Sequence, residues 1–254
     1  MTPPQTAIIL AAGRGTRMKD AGLRHPKGFI IAGALPIIEQ SILRLRASGI
    51  RQVTIVTGYL AEHYARLQSH YADLIQLVHN DRYADSGSMY SLFLARHAVE
   101  GPFLLLESDI VYEQRALSVL LNDAAPNLLL VSGTTHAGDA IYVEANDGFL
   151  KNAAKDRRAL LGTVIGEWVG VTKLSEVFFR EMIQHAEEIF PHRLKLDYED
   201  SLVAAASNVP VRCKLVEDLV WSEIDNEAQL LRVRERIYPL ILARDGPPQT
   251  GEVR

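Results

Sequence analysis

The stretch Ala7-Ile-Ile-Leu-Ala-Ala-Gly-Arg-Gly-Thr-Arg-Met18 decides the fold of this chain. Its first six residues form a continuous apolar run that ends at Gly13, which is typical of a strand buried on both faces. A strand that feeds a glycine-rich turn exposes consecutive backbone N–H groups, and such a turn can hold phosphate oxygens. Arg14, Arg17 and, beyond the turn, Lys27 add positive charge where a triphosphate would lie. We therefore predict a phosphate-binding loop at the end of the first strand.

The loop differs from two other glycine-rich phosphate loops. It lacks the Gly-Lys-[Ser/Thr] ending of a Walker A loop, and Met18 stands where a dinucleotide fingerprint has its third glycine. The predicted second strand ends at Thr57-Gly58 and not at an acidic residue, which excludes an NAD-dependent oxidoreductase. The remaining alternative is a tight strand-to-helix turn with solvated arginines.

Strand-like and helix-like stretches alternate through the first half of the chain at about 25-residue spacing, which predicts a parallel sheet. After residue 123 the pattern becomes rich in strands, with a hairpin turn signal at Asn146-Asp-Gly148. The prediction is an α/β fold: a mostly parallel twisted central sheet, helices on both faces, and a small inserted β-rich region. The predicted strands are 7–12, 53–57, 74–79, 103–107, 127–132, 139–144, 163–172, 211–216 and 219–224, and the predicted helices are 36–48, 60–71, 86–98, 175–189, 198–206 and 227–242.

The predicted elements form one domain over residues 1–243, with one half at about 6–125 and the other at about 126–243. We expect the polar tail 244–254 to be disordered. No apolar run approaches the ~20 residues of a membrane helix. The N-terminus lacks the basic region of a signal peptide, so a cytoplasmic location is expected.

Composition narrows the classes of protein further. The 254 residues are 48% hydrophobic and 23% charged, which excludes a mostly disordered chain, a collagen-like chain and a disulfide scaffold. A net charge of −4 argues against a nucleic-acid coat protein. Cys213 is the one cysteine, so an internal disulfide and a cysteine-based zinc site are excluded.

Two carboxylates follow predicted strands directly. Asp109 comes after strand 103–107 and Asp225 after strand 219–224, so both should emerge at the carboxyl edge of the sheet. Carboxylate oxygens are ligands that Mg²⁺ prefers. The alternative is that each aspartate caps the helix after it.

The second half also carries acids beside aromatic residues. Such a set suits a cationic amine through charge pairing and cation–π contact, whereas a neutral sugar would not need it. Lys151 and Lys155 could meet a phosphonate. The alternative is that the acids and lysines lie on the surface and the tryptophans in the core. The set comprises Glu167, Trp168, Tyr198, Asp200, Trp221 and Glu223.

The segment from Leu10 to Met18 with Pro26-Lys27 resembles the signature of nucleotidyltransferases of the GT-A-like pyrophosphorylase fold, and the resemblance extends from residue 6 to about 242. Later motifs look like those of the cytidylyltransferases for phosphocholine and 2-aminoethylphosphonate. Residues 132–139, 166–170 and 174–175 are more similar to the aminoethylphosphonate branch. The motifs shared by both branches are Val56-Thr-Gly-Tyr-Leu60, Ser88-Met-Tyr-Ser91, Glu107-Ser-Asp109 and Glu223-Ile-Asp225.

The resemblance implies transfer of CMP from CTP to 2-aminoethylphosphonate with release of pyrophosphate, Mg²⁺ being held by Asp109 and Asp225. Lys27 and Arg17 would join them as catalytic residues. The implied acceptor site is Lys151, Glu167, Trp168, Asp200 and Glu223. The implied nucleotide site is Leu10, Ala11, Ala12, Gly13, Arg14, Gly15, Thr16, Tyr59, Gly87 and Ser88. Ser88 and the loop from Asn80 to Gly87 align with the segment that reads the base in that family, which implies that the Ser88 hydroxyl contacts cytosine. The alternative is that Ser88 is a hydroxyl at a helix N-terminus.

Three alternatives stay open at this point. The acceptor could be phosphocholine, or a sugar or inositol phosphate, with the same chemistry. A non-catalytic nucleotide-binding regulatory module is the third, although the presence of both acids and Lys27 argues against it. The expected partners are CTP and a small amine-bearing phosphonate or phosphate ester. Neither nucleic acid nor membrane insertion is expected, and a homodimer is left open.

Overall fold

The computed structural model describes residues 3–18, 25–135 and 140–248. In these residues nine strands form one sheet in the order β3-β2-β1-β4-β9-β6-β10-β8-β7, and a separate pair joins β5 to β11. The strands are β1 (Thr6–Ala11), β2 (Gln52–Thr57), β3 (Ile75–His79), β4 (Phe103–Glu107), β5 (Ile110–Tyr112), β6 (Leu128–Ser132), β7 (Tyr142–Asn146), β8 (Phe149–Ala154), β9 (Val164–Leu174), β10 (Arg212–Val216) and β11 (Trp221–Glu223).

Helices cover both faces of this sheet. Because adjacent residues of a strand point to opposite faces, Ile9 packs into one core with α1, α2 and α4, and Ile8 into another with α3, α5 and α6. The predicted fold class is therefore confirmed. The helices are α1 (Ile37–Ala47), α2 (Ala61–His70), α3 (Ser88–Leu94), α4 (Arg115–Asn122), α5 (Glu176–Ile189), α6 (Tyr198–Ala206), α7 (Glu227–Arg232) and α8 (Tyr238–Asp245).

The direction of the strands matches the sequence pattern. Strands β1, β2, β3 and β4 run parallel, so their carboxyl ends share one edge. The long strand β9 runs antiparallel to both β4 and β6 and joins the two halves of the sheet. The predicted hairpin turn is also present: Asp147 and Gly148 have φ angles of 51° and 78° and connect β7 to β8.

Two helices differ from their predicted form. The predicted helix 86–98 is α-helical only over Ser88–Leu94 and continues as a 3-10 turn over Ala95–Ala98. The last helix is interrupted by a π-helical turn at Val233–Ile237, which the apolar periodicity does not reveal.

The C-terminal helix is longer than predicted. It continues to Asp245, beyond the predicted start of the tail at residue 244. Side-chain bonds fix its end, because Arg244 binds the buried Glu113 and Asp245 accepts from Arg44 and from the N–H of Gln114. The prediction of disorder for residues 249–254 lies outside the described residues. Within the described ranges, no helix has the length and apolar character needed to cross a membrane.

Candidate active site

A cavity of about 490 Å³ opens at the carboxyl ends of β1 and β4. Parallel sheets commonly bind ligands at this edge. The cavity is lined by the end of β1 with its glycine loop, by Glu107 to Asp109 after β4, and by residues at the starts of α3 and α6. Lys155, just after β8, also lines it. Of the predicted nucleotide-site residues, those in the lining are Leu10, Ala11, Ala12, Gly13, Gly15, Gly87 and Ser88.

The glycine loop lies close against Lys27. Gly15 has a φ angle of 60°, and a Cβ atom there would lie 2.8 Å from Cγ of Lys27. Only glycine therefore lets the loop adopt this turn while Lys27 passes beneath it. Gly13 differs, because a Cβ at that position would have no neighbouring atom within 4 Å. Thr16 begins a short 3-10 turn, and its side chain is outside the described part of the chain.

Lys27 and Arg17 pair with the two predicted metal ligands. The ammonium of Lys27 lies 2.6 Å from Oδ2 of Asp109 and also contacts Oδ1 of Asp225. The guanidinium of Arg17 lies 2.8 Å from Oδ2 of Asp225. Burial of Lys27 acts to lower its pKa, but the two carboxylates outweigh burial and raise the pKa above its ordinary value. The four predicted catalytic residues are thus connected by three ion pairs, with Lys27 joined to both aspartates and Arg17 to Asp225.

Main-chain pairing between β5 and β11 brings the two aspartates together. Glu223 pairs with Ile110, and the N–H of Ile224 donates to the carbonyl of Asp109 at 2.9 Å. The helix-capping alternative is not borne out, because strand β5 follows Asp109 and the side chain of Asn226 caps α7. Asp225 is only 1% exposed and is held between two cations.

Three carboxylates at this place could together hold a metal ion. One oxygen from each of Glu107, Asp109 and Glu223 lies within 4.8 Å of the others. Burial, and then the charge of Asp109, raise the pKa of Glu107. Burial, and then a hydrogen bond with Asp225, raise the pKa of Glu223. All three groups offer oxygen ligands, which is the donor type that Mg²⁺ takes.

The first turn of α6 lines the cavity with acids. Asp197, Glu199 and Asp200 all face it, and the hydroxyl of Tyr198 donates to Oε1 of Glu107 at 2.7 Å. In the described part of the chain, Oε2 of Glu199 is buried without a hydrogen-bond partner. Burial and the nearby Glu107 raise the pKa of Glu199. Asp200 is more exposed and pairs with Arg193 at 3.3 Å.

A buried asparagine shapes the other wall. The side-chain amide of Asn80, which is 0% exposed, donates to the hydroxyls of Ser86 and Ser91 at 3.0 Å each. Its carbonyl oxygen accepts from the N–H of Arg82 at 2.9 Å. Asn80 therefore fixes the loop before α3. Beside this loop the ring of Tyr59 lies 6.2 Å from that of Tyr83, and the guanidinium of Arg14 lies 5.9 Å from the Tyr59 ring.

Several residues of the predicted acceptor site lie outside the lining of this cavity. Glu167 is 1% exposed and accepts from both the N–H and the hydroxyl of Thr135. Trp168 is a core residue with its ring edge-to-face on Tyr198. Trp221 is buried and donates to Ser132 at 2.7 Å. Lys151 is exposed on β8.

Glu107, Glu199 and Asn80 belong to the cavity region but were not among the predicted site residues. Glu107 is the last residue of β4, two before Asp109, so the two residues lie on the same side of the chain. That spacing was a usable signal. Glu199 adjoins the predicted Asp200, and helix geometry alone does not say which of two adjacent acids is the more buried. The bonding of Asn80 has no sequence signal.

Comparison with known proteins extends these observations. Residues 7–219 match the MobA-like NTP transferase domain. The chain is 30% identical over 249 residues to CMP-5'-(3-aminopropyl)phosphonate synthase of Streptomyces rubellomurinus, covering 93% of this chain and 39% of that protein. It is 35% identical over 106 residues to 2-aminoethylphosphonate cytidylyltransferase of Lancefieldella rimae, covering 41% and 43%. The aligned segments thus cover less than half the length of each of these two relatives.

A solved structure shows the same fold. The CTP:phosphocholine cytidylyltransferase of Streptococcus pneumoniae superposes with a TM-score of 0.78 at 21% identity, covering 92% of this chain and 99% of that one. The fold agrees with the family match over residues 7–219. The chain belongs to the MobA-like NTP transferase domain family.

Proposed function

We propose that this protein transfers CMP from CTP to 2-aminoethylphosphonate and releases pyrophosphate. The observation that carries the proposal is the distribution of charge in one cavity. Lys27, Arg17 and the glycine loop supply a cationic end for phosphates, and the acids on the first turn of α6 supply an anionic end for an amine. The names of the two aminoalkylphosphonate relatives support the same acceptor class.

The reaction needs alignment and charge neutralisation more than proton transfer. A phosphonate oxygen that is already anionic attacks the α-phosphorus of CTP. The bond from the α-phosphorus to the bridging oxygen breaks, and pyrophosphate leaves with that electron pair. Backbone N–H groups of the glycine loop and the guanidinium of Arg17 hold the β- and γ-phosphates. The ammonium of Lys27 faces the oxygens on which negative charge grows.

A divalent cation fits the carboxylates beside Lys27. Glu107, Asp109 and Glu223 would hold it, and Asp225 borders the same place. When bound there, Mg²⁺ would neutralise phosphate oxygens and make the phosphorus easier to attack. Meanwhile Asp225 orients Lys27 and Arg17, because each of its oxygens pairs with one of these cations.

A primary amine suits the acceptor end better than a quaternary one. A quaternary ammonium cannot donate hydrogen bonds and is best held by an aromatic cage. Trp168 and Trp221 are 4% and 5% exposed and lie in the core, so they do not supply such a cage. A primary ammonium donates three hydrogen bonds. The buried oxygen of Glu199 that lacks a partner in the described part of the chain is a matching acceptor.

The test is pyrophosphate release with Mg²⁺ for each pair of CTP, UTP, ATP or GTP with one acceptor. The acceptors are 2-aminoethylphosphonate, phosphocholine, phosphoethanolamine and glucose 1-phosphate. We expect release with CTP and 2-aminoethylphosphonate. In addition, Glu199→Gln should raise the KM for this acceptor more than Asp200→Asn does. Preference for phosphocholine, or no turnover by folded protein, would contradict the proposal.

A further inference from the structure

The starts of α3 and α6 meet beside the cavity. Helix α3 follows the loop of residues 80–87 that Asn80 fixes, here called the nucleotide-side loop, and α6 carries the acids of the acceptor end. The N–H groups of Gly87 and Met89 donate to the carbonyls of Leu194 and Leu196, each at 3.0 Å. The segment before α6 therefore satisfies backbone donors at the start of α3, which have no partner inside their own helix.

The reverse bond comes from a side chain. The N–H of Tyr198, the first residue of α6, donates to Oγ of Ser88 at 2.8 Å. Asp197 holds the N-cap position of α6, but its side chain makes no capping hydrogen bond. The cap is supplied instead by Ser88, which is 110 residues away in sequence. Each helix start is thus capped by the other.

Close packing makes this arrangement specific. A Cβ atom at Gly87 would lie 2.2 Å from the carbonyl oxygen of Leu196, so any larger residue would push the two segments apart. From Tyr198 the contacts continue into the acidic site, because its hydroxyl binds Glu107 at 2.7 Å. A shift at Ser88 would therefore move both the acceptor acids and a candidate metal ligand.

We infer that Ser88 is a positioning residue for the acceptor end of the cavity, acting through the first turn of α6 and not chiefly as a reader of the base. The inference rests on the proposed function for its substrate names. It adds that the Ser88 hydroxyl, beside the two backbone hydrogen bonds, holds the first turn of α6 against the start of α3. One lone pair of that hydroxyl oxygen accepts the Tyr198 N–H, so the bond to α6 limits the directions in which the remaining lone pair and the proton can point.

Steady-state kinetics separate the two roles. For Ser88→Ala we expect a roughly tenfold higher KM for 2-aminoethylphosphonate, because one cap hydrogen bond is lost. The KM for CTP and the preference for CTP over UTP should stay near the parent values. Ser88→Thr keeps the oxygen and should restore the acceptor KM. Ser207→Ala removes an exposed hydroxyl at the other end of α6 and serves as the matched control.

A higher KM for CTP with an unchanged acceptor KM would overturn the inference and return Ser88 to base reading. Equal increases in both KM values would also overturn it, because they would indicate a general disturbance. If Ser88→Thr fails to restore the acceptor KM although Tyr198 stays protected, the positioning role is likewise rejected.

Amide hydrogen exchange tests the link without turnover. The Tyr198 amide should exchange slowly in the parent protein, Ser88→Thr and Ser207→Ala, and much faster in Ser88→Ala. Equal exchange in the parent and Ser88→Ala would overturn the inference. Absence of turnover in the parent protein with every acceptor would instead contradict the proposed function, and the exchange result would still decide whether Ser88 holds α6.

Discussion

The ammonium of Lys27 lies 2.6 Å from Oδ2 of Asp109, and both side chains are mostly buried. The contact joins the turn after the glycine loop to the end of β4. Lys27 also contacts Asp225, which follows β11. It therefore connects the two segments, after β4 and after β11, that carry the candidate metal ligands. Its raised pKa keeps it charged throughout the pH range in which enzymes of this kind are assayed.

For Lys27→Ala we expect turnover to fall by ~10²–10³-fold or more, since a cation facing the transferred phosphate is lost. The unfolding free energy should also fall by about 1–3 kcal/mol, because buried carboxylates lose a partner. Adding Asp109→Asn should restore part of the stability but none of the turnover. Pyrophosphate release and urea unfolding measure the two effects. Parent-like turnover in folded Lys27→Ala would refute the mechanism.

Two glycines of the cavity should respond differently to alanine. Gly13→Ala has free space for a Cβ, so its unfolding free energy should change by less than about 0.5 kcal/mol. Its affinity for CTP should nevertheless fall about tenfold, because the methyl group obstructs the close approach of phosphates. Gly87→Ala should be strongly destabilised by contact with Leu196. Calorimetric measurement of CTP binding and thermal unfolding distinguish the two variants. Loss of stability in Gly13→Ala together with parent stability in Gly87→Ala would contradict these roles of the two glycines.

Arg244 should be needed for stability although it lies near the C-terminal end of the described chain. It donates to both oxygens of Glu113, whose side chain is only 1% exposed. Arg244→Ala leaves Glu113 paired with Arg115, and we expect the free energy of unfolding to fall by about 2 kcal/mol. Arg236→Ala, at an exposed position of the preceding turn, is the control and should change stability by less than about 0.5 kcal/mol. Equal effects in urea unfolding would show that the Glu113 contact is unimportant.

Cys213 should react slowly while the protein is folded. Burial raises the pKa of its thiol to about 12, so little reactive thiolate exists at pH 8. We expect the native protein to react with an aromatic disulfide reagent at least about a hundredfold more slowly than urea-unfolded protein. Comparable rates would show that the thiol pKa is not raised.

The raised pKa of Cys213 makes the free energy of unfolding depend on pH in the alkaline range. Because the folded state favours the neutral thiol, this contribution is fully present below the unfolded pKa of about 8.5. It is lost as pH rises from there towards about 12. Cys213→Ser should flatten this part of the pH dependence of unfolding.

Local patterns were sufficient to predict most of the sheet and the position of the glycine loop, but not strand β5 or helix α4. The apolar run before Gly13 predicts a buried strand, and the acid after β4 predicts a strand end. Both properties depend on residues that are neighbours in the sequence. The π-helical turn at Val233–Ile237 and the ion pair of Arg244 with Glu113 were not predictable in this way. Both depend on contacts between distant segments.

The predicted acceptor residues were also affected by contacts between distant segments. Glu167 and Trp168 have the composition of an amine site, yet both are buried in the fold and lie outside the lining of the cavity. Glu199, beside the predicted Asp200, faces the cavity with an oxygen that lacks a partner in the described residues. Which of the two acids is the more buried depends on how α6 is rotated, and the bond from the Tyr198 N–H to Ser88 is one of the contacts that hold its first turn.

The pairing of β5 with β11 has a consequence for biosynthesis. The glycine loop, Lys27 and Asp109 leave the ribosome early, but Glu223 and Asp225 join them only when the segment around Ile224 folds back onto Asp109. A nascent or prematurely terminated chain that stops before this segment has the glycine loop, Lys27 and Asp109 but lacks Glu223 and Asp225. Such a fragment contains the parallel strands β1 to β4 and would still lack activity. Catalytic activity would therefore arise only late in translation.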